Sequence, residues 1–167
     1  MLKTLLQGLR SPVTEPAPPA DPELLALAAN LDEAARRRLG RSLAIREVDA
    51  GSCNACELEI QALSNAFYDL DRFGLHFVAS PRHADVLLVT GPVTRNMREA
   101  LLRTHQAMPS PKWVVAAGAC ARDGGAFAAS PSCSRGLAET IPVDLYIAGC
   151  PPTPNDLLKG LLALLRP

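Results

Sequence analysis

The chain has 167 residues, 48% of them hydrophobic and 20% charged, and its 17 basic and 17 acidic side chains leave no formal net charge. That suits one globular domain with a real core, and the balance gives none of the basic footprint of a nucleic-acid binder. No apolar run approaches the roughly 18 residues of a membrane span, and the start has neither a secretory signal nor a twin-arginine motif, so a cytoplasmic setting with reduced thiols is expected.

Residues 1–10 place Leu2, Leu5, Leu6 and Leu9 on one helical face, which reads as a foot for a partner or a membrane surface, or as a frayed terminus. Residues 11–22 form a Pro/Ala linker, extended until docked. A helix over 23–38 follows, with Asp21 as its cap, a basic last turn and Gly40 as its stop. Residues 1–41 thus read as an N-terminal helical arm with linker, and 42–167 as the principal domain. There, apolar runs at Leu43–Val48, Leu75–Ala79, Asp85–Thr90, Trp113–Ala117 and Val143–Ala148 alternate with helical stretches near 54–67, 95–107 and 154–165. Strands alternating with helices predict an α/β fold with a parallel sheet. The run from Ala84 to Thr90 is apolar almost throughout, as a strand buried on both faces should be.

Four of the five cysteines follow strand ends. The first strand runs into Asp49-Ala-Gly-Ser-Cys53-Asn-Ala-Cys56, the fourth into Gly118-Ala-Cys120, and the fifth into Gly149-Cys150-Pro-Pro. This is the carboxyl edge of a parallel sheet, where open α/β folds bind their ligands. Gly51, Gly118 and Gly149 let the backbone turn sharply beside a bulky group. Four thiols at one point suit a cubane iron–sulfur cluster, which tolerates scattered spacing. The residues also admit a zinc site, a redox-active C-x-x-C or small core residues. Cys133, in a loop that follows no strand, reads as a non-ligand. There is no G-x-G-x-x-G and no P-loop, so nucleotide binding is not supported.

The segments DAGSCNACELEI, SPRHADVLLVTGPVT, GACARDGGAF and IPVDLYIAGCPPTP resemble the cluster-bearing small subunit shared by respiratory complex I and the complex-I-related, membrane-bound NiFe hydrogenases. The resemblance runs from about Ser42 to the C-terminus. It implies a flavodoxin-like parallel sheet with helices on both faces, carrying one 4Fe–4S cluster on Cys53, Cys56, Cys120 and Cys150. It implies as partners a NiFe-hydrogenase-type large subunit, a ferredoxin-like iron–sulfur subunit and membrane subunits, with this chain peripheral on the cytoplasmic face. The large subunit would do the chemistry and this chain would carry electrons. The spacing of Cys53 and Cys56 resembles the formate hydrogenlyase and hydrogenase-4 branch, whereas the quinone-reducing branch has adjacent cysteines. Ala121 departs from the glycine common after the third ligand. The alternatives are a quinone-reducing module of the same fold and a zinc-stabilised scaffold.

Around the cysteines, Glu59 on the following helix is a candidate proton relay at the partner interface, ahead of Glu57. Arg82 is a cation that can raise a cluster's potential or touch the partner. The loop after Cys120, with Gly124 and Gly125, is free to wrap the site.

Overall fold

The computed structural model describes residues 21–165; the expected helix over 1–10 and most of the linker lie outside the described residues. The chain opens with helix α1 (Pro22–Leu39). The Asp21 carboxylate accepts the Glu23 amide at 2.9 Å, Pro22 occupies the first turn, and Gly40 ends the helix in the left-handed conformation with its N–H on the Arg36 carbonyl, as the capping residues predict. Leu24, Leu31, Ala34 and Ala35 face inward and join the main core.

Five strands follow: β1 (Leu43–Asp49), β2 (Leu75–Phe77), β3 (Val86–Thr90), β4 (Trp113–Ala117) and β5 (Leu145–Ile147). All neighbouring pairs are parallel and the order is β2-β1-β3-β4-β5, the flavodoxin-like order. Between them lie α2 (Ala55–Ala62), α3 (Arg95–Ala107), the short α4 (Ala119–Asp123) and the last helix α5 (Pro154–Leu165). β3 is buried along its whole length, which its unbroken apolar run requires. One face of the sheet is covered by α1, α2 and α5 through Leu31, Ile60, Leu157 and Leu161. The other is covered by α3 through Leu101, with Ala121 and Leu137 beside it.

Two features position the site. The chain leaves β1 for β2 on one side and returns to β3 on the other, so the crevice between the carboxyl ends of β1 and β3 is the topological switch point. The register also brings the strand ends level, with Asp49 opposite Thr90 and Ala117 opposite Ile147. The loops that follow β1, β4 and β5 therefore emerge side by side.

The second helix is shorter than its pattern suggests. It stops at Ala62 because the Asn65 side chain accepts the Phe67 and Tyr68 amides, at 2.8 and 3.0 Å, and folds the chain into turns, the local competition Asn offers a helix. A helical turn also forms at Ala119–Asp123, where the sequence suggested only a glycine turn.

Candidate functional site

The loop after β1 is shaped by its own last residue. Asp49 Oδ1 accepts the Gly51 and Ser52 amides at 2.7 and 2.6 Å, and Asn54 takes the left-handed conformation ahead of α2. This bends Cys53 out to the surface and sets Cys56 as the second residue of α2, buried. The arrangement recurs after β4: Cys120 is the second residue of α4, also buried. Gly118 donates to the Ile147 carbonyl at 2.9 Å and Ala119 to the Gly149 carbonyl at 2.8 Å. Those bonds carry the β4–β5 pairing past the strand ends and lay the Cys120 loop against the Cys150 loop. Cys150 is exposed and joined to Pro151 by a cis peptide bond. The site thus has a buried floor, Cys56 and Cys120, and an exposed rim, Cys53 and Cys150.

Glycine is required at two places in this floor. A Cβ on Gly118 would stand 2.8 Å from the Cys56 sulfur, and one on Gly125 would stand 3.0 Å from the Cys120 sulfur. Both positions also have positive φ, 88° and 48°, which disfavours a side chain independently.

The four thiols share one electrostatic neighbourhood. Burial, the adjacent Glu57 carboxylate and the thiols of Cys120, Cys53 and Cys150 push the Cys56 thiol up to about 12. Burial and then Cys150 also raise Cys120, against a hydrogen bond from the Ala126 amide, with smaller contributions from Cys53 and Asp123. Such thiols stay protonated in isolation and become ligands only where a metal supplies the opposing positive charge. Yet among the described residues no three His, Cys, Asp or Glu side chains close tightly enough to hold one metal ion. Four thiols from three neighbouring loops, with glycine backbone against two of them, are a donor set suited to a thiolate-ligated group.

The other expected residues divide. Gly51 and Gly149 have positive φ, as Gly118 does, in the three cysteine loops. Glu59 is half-buried on α2. Its neighbour Glu57 is the buried carboxylate: the Ser52 hydroxyl donates to its Oε2 at 2.5 Å, and its Oε1 has no partner among the described residues. Arg82 is exposed on the 3-10 turn Pro81–His83, which packs against α3, and is absent from the charges that act most on Cys56 and Cys120. Cys133 is half-buried and bridged to Thr94 at the start of α3, and it is likewise not among those charges.

Sequence reasoning passed over Glu47. Its signal was present: Leu43, Ile45 and Glu47 alternate onto the core face of β1, and a charge at such a position is unusual. Burial, then the Glu57 and Asp49 carboxylates, hold its carboxyl above the ordinary range, with Arg46 opposing.

Comparison with known proteins agrees with this architecture. Residues 53–164 match the family model described as NADH ubiquinone oxidoreductase, 20 Kd subunit. The chain is 46% identical over 128 residues to a Pyrococcus furiosus protein described as "Probable membrane-bound hydrogenase subunit mbhJ", covering 77% of each. It is 45% identical to formate hydrogenlyase subunit 7 of Escherichia coli, over 79% of this chain and 52% of that one. It is 50% identical to an NADH-quinone oxidoreductase subunit of Citrifermentans bemidjiense, over 65% of this chain and 64% of that one. The chain therefore spans about half of the second relative and just under two thirds of the third. Among solved structures it is similar to a chain of the membrane-bound sulfane sulfur reductase, an archaeal respiratory membrane complex, with a TM-score of 0.67 and 36% identity over 81% of this chain and 73% of that one. A match over most of the chain, on the same fold, is decisive: this chain belongs to the NADH ubiquinone oxidoreductase 20 Kd subunit family.

Proposed function

We propose that this chain is an electron-transfer subunit that holds one 4Fe–4S cluster on Cys53, Cys56, Cys120 and Cys150 and relays single electrons to or from a NiFe-hydrogenase-type large subunit in a membrane-associated, respiratory-type complex. The observation that carries the reading is the convergence of four thiols, from three strand ends, on the switch-point edge of the sheet. Its relatives are named as oxidoreductase subunits. When bound, the cluster supplies reversible one-electron chemistry.

The chain's own residues hold and tune that group. Cys56 and Cys120 seat it on a dry floor, and the Ala126 amide donates to the Cys120 sulfur, a contact that raises cluster potentials. Cys53 and Cys150 stand at the rim, so a second chain must cover them to exclude water. Leu58, 58% exposed on α2, and Phe127, 38% exposed after Cys120, give that face apolar contacts of the kind that mark an interface. Glu59 and Arg82 are further candidates for contact with the large subunit. No described helix is long and apolar enough to cross a membrane.

A second reading, a quinone-reducing module, has in its favour the 50% identity to the NADH-quinone oxidoreductase relative. The Cys53-x-x-Cys56 spacing and the longer match to hydrogenase relatives favour the first. The test is an EPR spectrum of anaerobically purified, dithionite-reduced full chain. One cubane-type signal per chain supports the reading, and a silent spectrum from protein without iron sinks it. The partner large subunit then decides the branch: four nickel-binding cysteines mean hydrogenase, and their loss means quinone reductase.

A further inference from the structure

At the cysteine edge β1 closes on Asp49, whose carboxylate shapes the loop after it, β4 on Ala117 and β5 on Ile147. β3 closes on Thr90, the one polar side chain of a strand that otherwise reads Val86-Leu-Leu-Val89. Thr90 is fully buried, and its hydroxyl oxygen has no hydrogen-bond partner among the described residues. Valine has the same shape without the polar atom, and burying an unpartnered hydroxyl costs free energy. Other orphaned polar atoms nearby have a ready explanation. Arg46 and Glu47 line a cavity of about 360 Å³, open to solvent, beyond the end of β2. It exists because β2 ends at Phe77, opposite Ile45, and β1 continues past it without a neighbour on that side. Water can serve both residues there. Thr90 does not line that cavity, so its hydroxyl needs a different partner.

The register places Thr90 at the cysteine floor. Alternation along β3 puts Val86, Leu88 and Thr90 on one face, and the first two pack in the core that includes Ile60 of α2. Thr90 therefore faces the α2 side. Across the sheet it is flanked by Asp49 of β1 and, one step past the Val89–Ala116 pair, by Ala117 of β4. After Ala117 comes Gly118, where an added Cβ would stand 2.8 Å from the Cys56 sulfur. After Thr90 comes Gly91, where one would stand 2.6 Å from the Ser52 amide nitrogen. Thr90 is thus held between the loop that carries Cys53 and Cys56 and the turn that carries Cys120, on the face where α2 begins with Cys56. The two floor thiols differ in their support. Cys120 has a donor in the Ala126 amide, whereas every group that acts on Cys56 is another negative or acidic one. The Cys56 half lacks a donor, and Thr90 stands there with one unused.

We propose that Thr90 tunes the cluster: its hydroxyl donates a hydrogen bond to a sulfur of the group held on the Cys56 side of the floor. A cluster brings sulfur acceptors of its own, beyond the cysteine thiolates. A hydrogen bond to a charged acceptor is stronger than one to a neutral acceptor, so the bond strengthens when an electron makes those sulfurs more negative. It therefore stabilises the reduced form and raises the potential. The proton stays on the Thr90 oxygen throughout. This inference rests on the cluster reading above.

The test compares cluster-loaded full chains of wild type, Thr90→Val and Thr90→Ser in an EPR-monitored redox titration. Valine keeps the shape and removes the donor, and serine keeps the donor. All three should carry the same iron and sulfide. Thr90→Val should have a lower potential than wild type, and Thr90→Ser one close to it. A residue that only packs would leave the potential of the isosteric Thr90→Val where it was. Pulsed EPR of the reduced protein gives an independent readout. One hyperfine coupling to a proton that exchanges in heavy water should be present in wild type and Thr90→Ser and missing in Thr90→Val. An unchanged potential in Thr90→Val, or no coupling lost from it, would overturn this inference and leave the cluster reading intact. Unequal iron content among the three would overturn it too, because Thr90 would then build the site rather than tune it. Wild-type protein with no iron or sulfide would remove both readings.

Discussion

The two edges of the sheet use similar residues to opposite ends. At the amino edge, Asp85 is buried just before β3, where it accepts the Arg41 guanidinium at 2.8 and 2.5 Å and the Ala44 amide at 3.0 Å. Asp144, just before β5, accepts the Val114 amide at 2.7 Å. These carboxylates tie strand starts together. At the carboxyl edge, Glu47, Glu57 and Thr90 each keep a buried oxygen without a partner among the described residues, and the Cys56 thiol is driven far up by burial and its neighbours. The carboxylates of the first edge are bonded within the chain, whereas Glu47 and Glu57 at the second keep oxygens without partners among the described residues, which is where a functional site should stand.

Substitutions can break this contrast, and the largest effect should come from the floor. Cys56→Ser or Cys120→Ser should lose the cluster outright, as should Cys150→Ser at the rim, while Cys133→Ser keeps it; iron and sulfide per chain report the outcome. Full retention in Cys150→Ser would remove that residue from the ligand set. Gly118→Ala should come next. The added Cβ meets the Cys56 sulfur and the backbone there is left-handed, so both cluster content and stability should fall, the latter by about 1–3 kcal/mol, seen as a lower urea midpoint.

At the amino edge the readouts should separate. Asp85→Asn should cost about 1–3 kcal/mol through the weakened Arg41 pair and Ala44 bond yet leave iron content unchanged. Loss of iron in this variant would mean that the two edges are coupled. The smallest effect belongs to the cap of α5, where the Thr153 hydroxyl and amide donate to Asp156 and the Asp156 amide donates back to the hydroxyl. Asp156→Ala should cost about 0.5–1 kcal/mol. These bonds from Thr153 hold the Asp156 carboxyl below its usual range. The stabilisation is therefore present above the ordinary aspartate range and lost as pH falls through the lowered folded value. Unfolding curves of wild type and variant should differ at neutral pH and converge in acid.

Much of this was legible from particular residues. Asp21 and Gly40 marked both ends of α1, and the unbroken run in β3 announced burial on both faces. Glycine just before Cys53, Cys120 and Cys150 pointed to the carboxyl edge, because turn chemistry and ligand chemistry are both local. What escaped depended on neighbours far away in sequence. Glu57, not Glu59, is the buried carboxylate, since the angle of α2 is set by how Ile60 packs on the sheet. The early stop of α2 came from Asn65 competing for amides. The cavity at Glu47 arises because β2 is too short to cover its neighbour, a fact of strand pairing that no run of residues displays.

The central claim is the cluster, and elemental analysis tests it most directly: iron, acid-labile sulfide and zinc per chain in anaerobically purified full-length protein. About four irons and four sulfides with no zinc is the predicted result. One zinc with no sulfide would contradict it, and the four cysteines would then be a structural site.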